Sequence, residues 1–249
     1  MTSWPNALVA TWLRELRAYF LTPLAYVFIA IFLVAVGAFT FEVGGFLDQG
    51  RADLGPFFVF HPWLYLVFLP AIGMRLWSDE LRSGTIELLL TFPAPVWSIV
   101  LGKFLAAWTV AAAALALTFP MWLSVAWLGS PDHGAIALSY AMSFMMAGAY
   151  LAIACAMSAL GSSQVVAFVI AVTVGFLFTV SGLPIVQAGV VDTFGAAVGD
   201  VLGGLSLLAR FEAAQRGVLE LRAVVFYVGF IALWLALTTL WISARRERP

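Results

Sequence analysis

Of the 249 residues 63% are apolar and only 10% charged, against roughly 45–50% and about 25% in an ordinary soluble domain, so the chain reads as an integral membrane protein. A net charge of −1 without a basic stripe excludes nucleic acid as a partner. The single cysteine, Cys155, excludes a disulfide framework and reads as a small structural hydrophobe in an apolar run.

Uncharged runs at 104–130 and 134–191 exceed the ~20 residues that carry a helix across hydrocarbon, and the second is long enough for two spans. The strict alternation of a membrane barrel is missing. The predicted fold is therefore all-α, a single membrane domain over 1–249 with six transmembrane helices.

At the N-terminus no short apolar core precedes a small-residue cleavage site, so the first span is expected to remain as an anchor. Residues 4–20 set Leu8, Trp12, Leu16 and Tyr19 at helical spacing, with Arg14, Glu15 and Arg17 elsewhere on the turn. This predicts an amphipathic helix lying in the membrane interface, a cytosolic extension of span 1 being the alternative. Span 1 follows at about 22–41, with Pro23 suited to its first turn. A polar interval holding Asp48, Arg51 and Asp53 leads to span 2 at about 57–77, where Pro62 and Pro70 predict kinks packed inside the bundle.

Residues 74–103 concentrate charge between two apolar segments: Arg75, Asp79, Glu80, Arg82, Glu87 and Lys103. Span 2 is expected to continue as helix to Arg82, with Asp79 and Arg82 at i,i+3, and to break at Ser83-Gly84. A short helix fits Thr85 to Leu90, with Gly84 or Thr85 as its cap and Glu87 near its positive end. Pro93 closes this 83–93 segment and Pro95 opens the next helix. From the residues alone, a helix lying across the base of the bundle and an ordinary amphipathic connector are equally good readings.

Span 3 is expected over about 95–128, longer than a bilayer requires, so it tilts or projects. Span 4 covers about 138–160 and span 5 about 164–186, joined by Gly161-Ser162-Ser163. Region 187–222 mixes Asp192, Asp200, Arg210, Glu212, Arg216, Glu220 and Arg222 with apolar residues, too polar to span and too apolar for a free loop. It reads as amphipathic helices at or partly in the outer membrane surface, with Ser206 capping one whose Leu207, Phe211, Ala214 and Val218 share a face. Span 6, about 223–242, ends in a basic tail.

With six spans both termini share a side. Placing them in the cytoplasm leaves eight bases against five acids inside and four against eight outside, the bias expected of cytoplasmic loops. Residues 74–103 then face the cytoplasm. Trp4, Trp12, Trp63, Trp77, Trp97, Trp127 and Trp241 fall near span ends, where the amphipathic ring is favoured, while Trp108, Trp122 and Trp234 sit deeper.

The chemistry-bearing patterns are few. Gly102-Lys103 is followed by Phe104 and lacks the glycine of a phosphate loop, so no ATP site is expected. His61 and His133 both map to the outer side without a further ligand cluster, which argues against a metal. There is no nucleophile elbow and no carboxylate pair within the spans. Spans 3, 4 and 5 carry no ionisable relay, and Glu42 reads as a hydrated boundary residue. A proton-coupled carrier and a membrane-embedded enzyme are both disfavoured.

The run Trp77-Ser78-Asp79-Glu80-Leu81-Arg82-Ser83-Gly84-Thr85-Ile86-Glu87-Leu88-Leu89-Leu90, then Pro93 and Gly102-Lys103-Phe104, resembles the E-x-x-x-G-T-x-E-x-L-L…P…G-K pattern of ABC-2 type transporter permeases. Within them it is similar to the gliding-motility-associated branch. Arg14 to Phe20, Arg210-Phe211-Glu212, Arg216-Gly217-Val218 and Arg245-Arg246 extend the likeness over nearly the whole chain.

The resemblance implies a non-catalytic inner-membrane subunit that pairs with a second permease, identical or related, and docks two cytoplasmic ATPases, where ATP and Mg are bound. The contact with those ATPases would be formed by the coupling helix and interfacial helix, through Asp79, Glu80, Arg82, Gly84, Thr85, Ile86, Glu87, Leu88, Arg14 and Arg17. Re-entrant outer helices would precede span 6, open to an accessory outer-side protein. Gly148, Ala152, Ala156, Ser158 and Gly175 are small residues that let helices approach.

Overall fold

The computed structural model describes residues 4–48, 50, 52–91 and 94–246. Arg51, Glu247 and Arg248, which enter the charge count, and Pro93, expected to end the 83–93 segment, lie outside the described residues. Helix makes up 83% of the chain, and no strand occurs among the described residues.

The chain begins with α1 (Trp4–Leu21), and a break at Thr22 gives way to α2 (Pro23–Ala38), with Pro23 in the first turn, where its missing N–H costs nothing. A π-helical turn, Phe39–Val43, widens the end of α2 and places Glu42 on the surface. After the polar interval come α3 (Gly55–Phe58), α4 (His61–Gly73), α5 (Arg75–Ser83) and α6 (Thr85–Leu90). Of the two prolines expected to kink span 2, Pro62 sits in the first turn of α4, and Pro70 lies within α4, which continues past it to Gly73. Gly73 ends α4 so close to the later helix that carries Ala154 that a Cβ there would stand 2.5 Å from Ala154 Cβ.

Span 3 is two helices, α7 (Val96–Ala116) and α8 (Phe119–Leu128), rather than one unbroken rod. Pro120, without an N–H, cannot continue the ladder. At this joint the backbone N–H and the hydroxyl of Thr118 both donate to Leu115 O, the hydroxyl at 2.6 Å. Helix α9 (His133–Ser158) starts five residues before the expected 138, because Asp132 accepts from both Gly134 N and Ala135 N and so supplies a cap.

Helix α10 (Gln164–Val180) stops short of the expected 186, and the chain turns by 82° into α11 (Pro184–Phe194). Then come α12 (Ala196–Gly204), α13 (Leu207–Gln215) and α14 (Leu221–Arg246). Ser206 accepts from Ala209 N and so caps α13, whose Leu207, Phe211 and Ala214 are buried. Val218, expected on that face, lies beyond the turn at Gly217 and is exposed, since the helix has already ended at Gln215.

Among the described residues five segments are long and apolar enough to cross a bilayer: Ala25–Val43, Gly55–Ser83, Val96–Leu128, His133–Ser158 and Leu221–Arg245. The bent pair α10 and α11 makes a sixth if the two are taken as one span. Helix α9 is the hub, packed against α4, α7, α10, α13 and α14. It is uniformly apolar and buried from Met146 to Ser158, as a helix surrounded by others must be. Trp108 and Ile231 press on Gly148, and Tyr150 and Leu66 on Gly175, so a Cβ at either glycine would crowd them. Only 17% of the Ala25–Val43 window and 28% of the Leu221–Arg245 window are buried, which puts these two segments on the outside of the bundle.

Candidate functional site

Three elements meet around one buried cation. Lys103, on α7, is 1% exposed, and an ammonium at that depth persists only when paired. Its Nζ donates to Glu15 Oε1 of α1 at 3.1 Å and to Glu80 Oε1 of α5. It also lies 5.3 Å from the centre of the Trp77 ring, within reach of the ring's negative face. Trp77 is fully buried, so its position at a span end serves this packing rather than an interfacial anchor.

Glu15 arrives here because α1 turns one face toward the bundle. Trp12, Glu15 and Tyr19 follow each other at i+3 and i+4 along that face. Trp12 Nε1 donates to Thr109 Oγ1 of α7 at 3.2 Å, and the Tyr19 hydroxyl donates to Ile72 O at 3.2 Å, just before the break between α4 and α5. Gly102 makes the contact possible: a Cβ there would stand 2.9 Å from Thr11 Cβ and 3.0 Å from Leu8 O. The Gly-Lys pair thus has two separate uses, glycine admitting the backbone of α1 and lysine meeting its carboxylate.

The two acids around Lys103 are not equivalent. Burial pushes the Glu15 carboxyl up, but the Lys103 ammonium and the Arg14 guanidinium, 2.6 Å from Oε1, outweigh it and hold the group below its ordinary range. Glu80 has Lys103 alone as an ion-pair partner among the described residues, and its Oε2 is buried with no hydrogen-bond partner among them. Asp79, next in sequence, belongs to a different set. It accepts from Arg75 Nε at 3.1 Å, lies 3.9 Å from Arg82 Nη2, and accepts from Gln164 Nε2 at the first residue of α10.

Gly84 joins α5 directly to α6 with φ of +73°, a left-handed conformation that glycine adopts without steric penalty. The Ser83 and Thr85 hydroxyls meet across it at 2.8 Å. Of the residues proposed from sequence for partner contact, Arg14, Arg17, Arg82, Gly84, Thr85, Glu87 and Leu88 are exposed, and Leu88 is 68% so. Ile86 is buried, and Asp79 and Glu80 are half-buried and committed to internal ion pairs.

A groove lies on each side of α6. One is lined by Arg14, Glu15, Ala18, Glu80, Thr85 and Leu88, and the other by Ile86, Glu87, Leu160, Trp241 and Arg245. Arg245 donates to Leu160 O at 3.1 Å, capping the far end of α9 with positive charge, which the helix dipole favours.

Sequence reasoning assigned no role to Glu15 or Lys103. The signal was present, because Glu15 shares a helical face with Trp12 and Tyr19, and Lys103 is the one base in an otherwise uncharged stretch of 96–128. The two histidines have separate partners: His61 Nδ1 lies 2.8 Å from Ser143 Oγ, and His133 Nδ1 accepts from Trp122 Nε1 at 3.0 Å. No group of three or more metal-ligating side chains occurs among the described residues.

The arrangement around Lys103 is a set of ion pairs that ties three helices together. The site offers a short, exposed helix held by a glycine joint at one end of a membrane bundle, next to an amphipathic helix anchored by a buried ion pair. A comparison with curated proteins finds no match. The family model described as ABC-2 family transporter protein matches residues 17–242, which takes in the ion-pair site apart from Arg14 and Glu15, together with α6 and all of the candidate spans but the last residues of Leu221–Arg245. The chain belongs to the ABC-2 family of transporter proteins.

Proposed function

We propose that this chain is the permease subunit of an ATP-binding cassette transporter, in which ATP hydrolysis by a separate cytoplasmic subunit drives export or mechanical work across a bacterial inner membrane. The observation that carries this reading is α6, six residues long, exposed at Gly84, Thr85, Glu87 and Leu88 and flanked by a groove on each side. A single exposed turn of helix between two grooves suits insertion into a cleft of a partner. Membership of the ABC-2 family supports the choice of an ATPase as that partner.

In this reading α1 and α6 lie at the cytoplasmic surface, both termini are cytoplasmic, and two ATPase subunits dock on a pair of permeases. Closure of the ATPases on ATP displaces α6, and α5 carries that displacement into span 2 as a rigid-body shift. The chain itself binds no nucleotide. We also place it with the gliding-motility-associated branch, on the strength of Arg14 to Phe20, Arg210-Phe211-Glu212 and Arg216-Gly217-Val218.

The test is purification of the chain with the ATPase it captures and measurement of stimulated hydrolysis. Glu87→Arg reverses the charge on the exposed face of α6, and Gly84→Pro forbids the positive φ at its joint. Both are expected to abolish stimulation while leaving membrane insertion unchanged. Full stimulation in both variants, or substrate movement by the chain alone in ATP-free liposomes, would overturn the proposal.

A further inference from the structure

Packing divides this end of the bundle into two bodies. Helix α1 lies closely on α7 through Gly102, Trp12 and Thr109. Helices α5 and α6 belong elsewhere: α5 packs on α4, α9 and α10, the Ser78 hydroxyl donates to Ser158 O at 3.2 Å, and Asp79 accepts from Gln164. Between the bodies backbone contact is sparse. A cavity of about 140 Å³ lies there, lined by Glu15, Tyr19, Thr22, Arg75, Asp79 and Glu80, and the groove between α1 and α6 continues it. Both α7 and α5 pack on α9. The seam is therefore closed by α9 on one side and open on the other.

Among the described residues two hydrogen-bonded contacts cross the seam, Tyr19 to Ile72 O at the break in span 2 and Lys103 to Glu80, the latter a contact between charges, and the Lys103 ammonium also faces the Trp77 ring of α5. We infer that the Lys103–Glu80 pair is a clasp that sets the resting position of the α5–α6 arm against the α1–α7 body. Glu15 fixes the cation on its own side, and it has Arg14 as a second partner whether or not the clasp is closed. Glu80 has no such reserve. When Lys103 is removed its half-buried carboxylate, with Oε2 shut off from solvent, has no ion-pair partner unless the seam opens and lets water reach it. Because Glu80 lines both the cavity and the groove, opening the seam is what hydrates it. The clasp thus has two stable arrangements, closed and paired or open and hydrated, as a bistable joint requires.

This inference rests on the reading of α6 as the moving contact, but its test does not use the ATPase. In a Cys155→Ala background, spin labels at Ala18→Cys on α1 and Leu88→Cys on α6, both exposed positions lining the groove, report the distance across the seam by pulsed electron resonance in the purified full chain. The parent is expected to give one narrow distance. Glu80→Gln, which keeps the shape and removes the charge, is expected to broaden the distribution toward longer distances, and Lys103→Met to do so further. The double exchange Lys103→Glu with Glu80→Lys leaves Glu15 with a cation opposite and is expected to restore the narrow distance.

A distribution unchanged by Glu80→Gln, or one broadened by it and not narrowed by the exchange, would overturn the clasp. If Lys103→Met fails to fold, Glu80→Gln and the exchange decide the matter. Loss of ATPase capture with the distances behaving as expected would sink the permease reading while leaving the clasp in place.

Discussion

Lys103 shows how a single charge acquires meaning from depth. In water a lysine beside two glutamates contributes little, because both ions are well solvated. Here the ammonium is withdrawn from solvent and held by two carboxylates, so losing either weakens its hold, while losing Lys103 itself leaves the half-buried Glu80 carboxylate without an ion-pair partner. Gly102 shows the complementary effect, in which a side chain matters by being absent. Gly102→Leu would drive new atoms into Thr11 and the Leu8 carbonyl, which is backbone and cannot rotate away. We expect it to push α1 off α7 at a cost of about 1–3 kcal/mol, the range for overpacking. Hydrogen exchange of residues 8–20 should rise in that variant, and unchanged protection there would show that α1 has room to shift.

At the level of elements, helix ends account for much of the architecture, because hydrocarbon supplies no partner for an orphan backbone group. Asp132, Ser163 and Ser206 each accept from the first turn of a following helix, while Arg245 donates to the carbonyls of Ala159 and Leu160 just past the end of α9. Ser206 combines two roles, since its hydroxyl accepts from Ala209 N and donates to Thr179 O at 3.4 Å, holding α13 against α10. Ser206→Ala is expected to cost about 1 kcal/mol, the usual loss for such a cap, read as a lower unfolding temperature in detergent. Equal stability of the variant would mean that water replaces the cap.

The pair α11 and α12 behaves differently from the rest. Gly199 seats against Val191, the two helices pack on each other, and Gly199 is the one buried residue between them. At 11 residues, or about 16 Å, α11 is too short to cross hydrocarbon by itself.

Across the whole molecule, orientation follows from charge and is open to a direct measurement. The bases concentrate at the end that carries α1, α5, α6 and the end of α14, and the proposed topology puts that end in the cytoplasm and α12 outside. In the Cys155→Ala background, an impermeant maleimide applied to intact cells should label Asp200→Cys and not Thr85→Cys, both being exposed positions. The opposite pattern would invert the topology and remove α6 from the reach of any cytoplasmic ATPase. The burial of the central spans against the exposure of α2 and α14 gives the bundle a hard centre around α9 and an outer wall left for lipid or a second copy.

Composition and period alone determine that this chain is a helical membrane protein, and the glycine and proline spacing of 83–95 marks out α6, because these properties act locally along the backbone. The apolar face of Leu8, Trp12, Leu16 and Tyr19 was legible, but the same pattern sets Glu15 elsewhere on the turn, and only the fold shows it turned in beside Trp12 and Tyr19 to meet Lys103. Which acids point outward and which point in was decided by tertiary structure: Asp79 and Glu80 are neighbours in sequence, yet one is tied to Gln164 and the other to Lys103. The same holds for the turn of 82° after α10 and for the joint at Thr118, where a hydrophobic run looks continuous until packing and a proline interrupt it. A period of 3.6 residues fixes which side chains share a face, while the pairing of a buried charge depends on residues 23 and 88 positions away, and only folding brings those within reach.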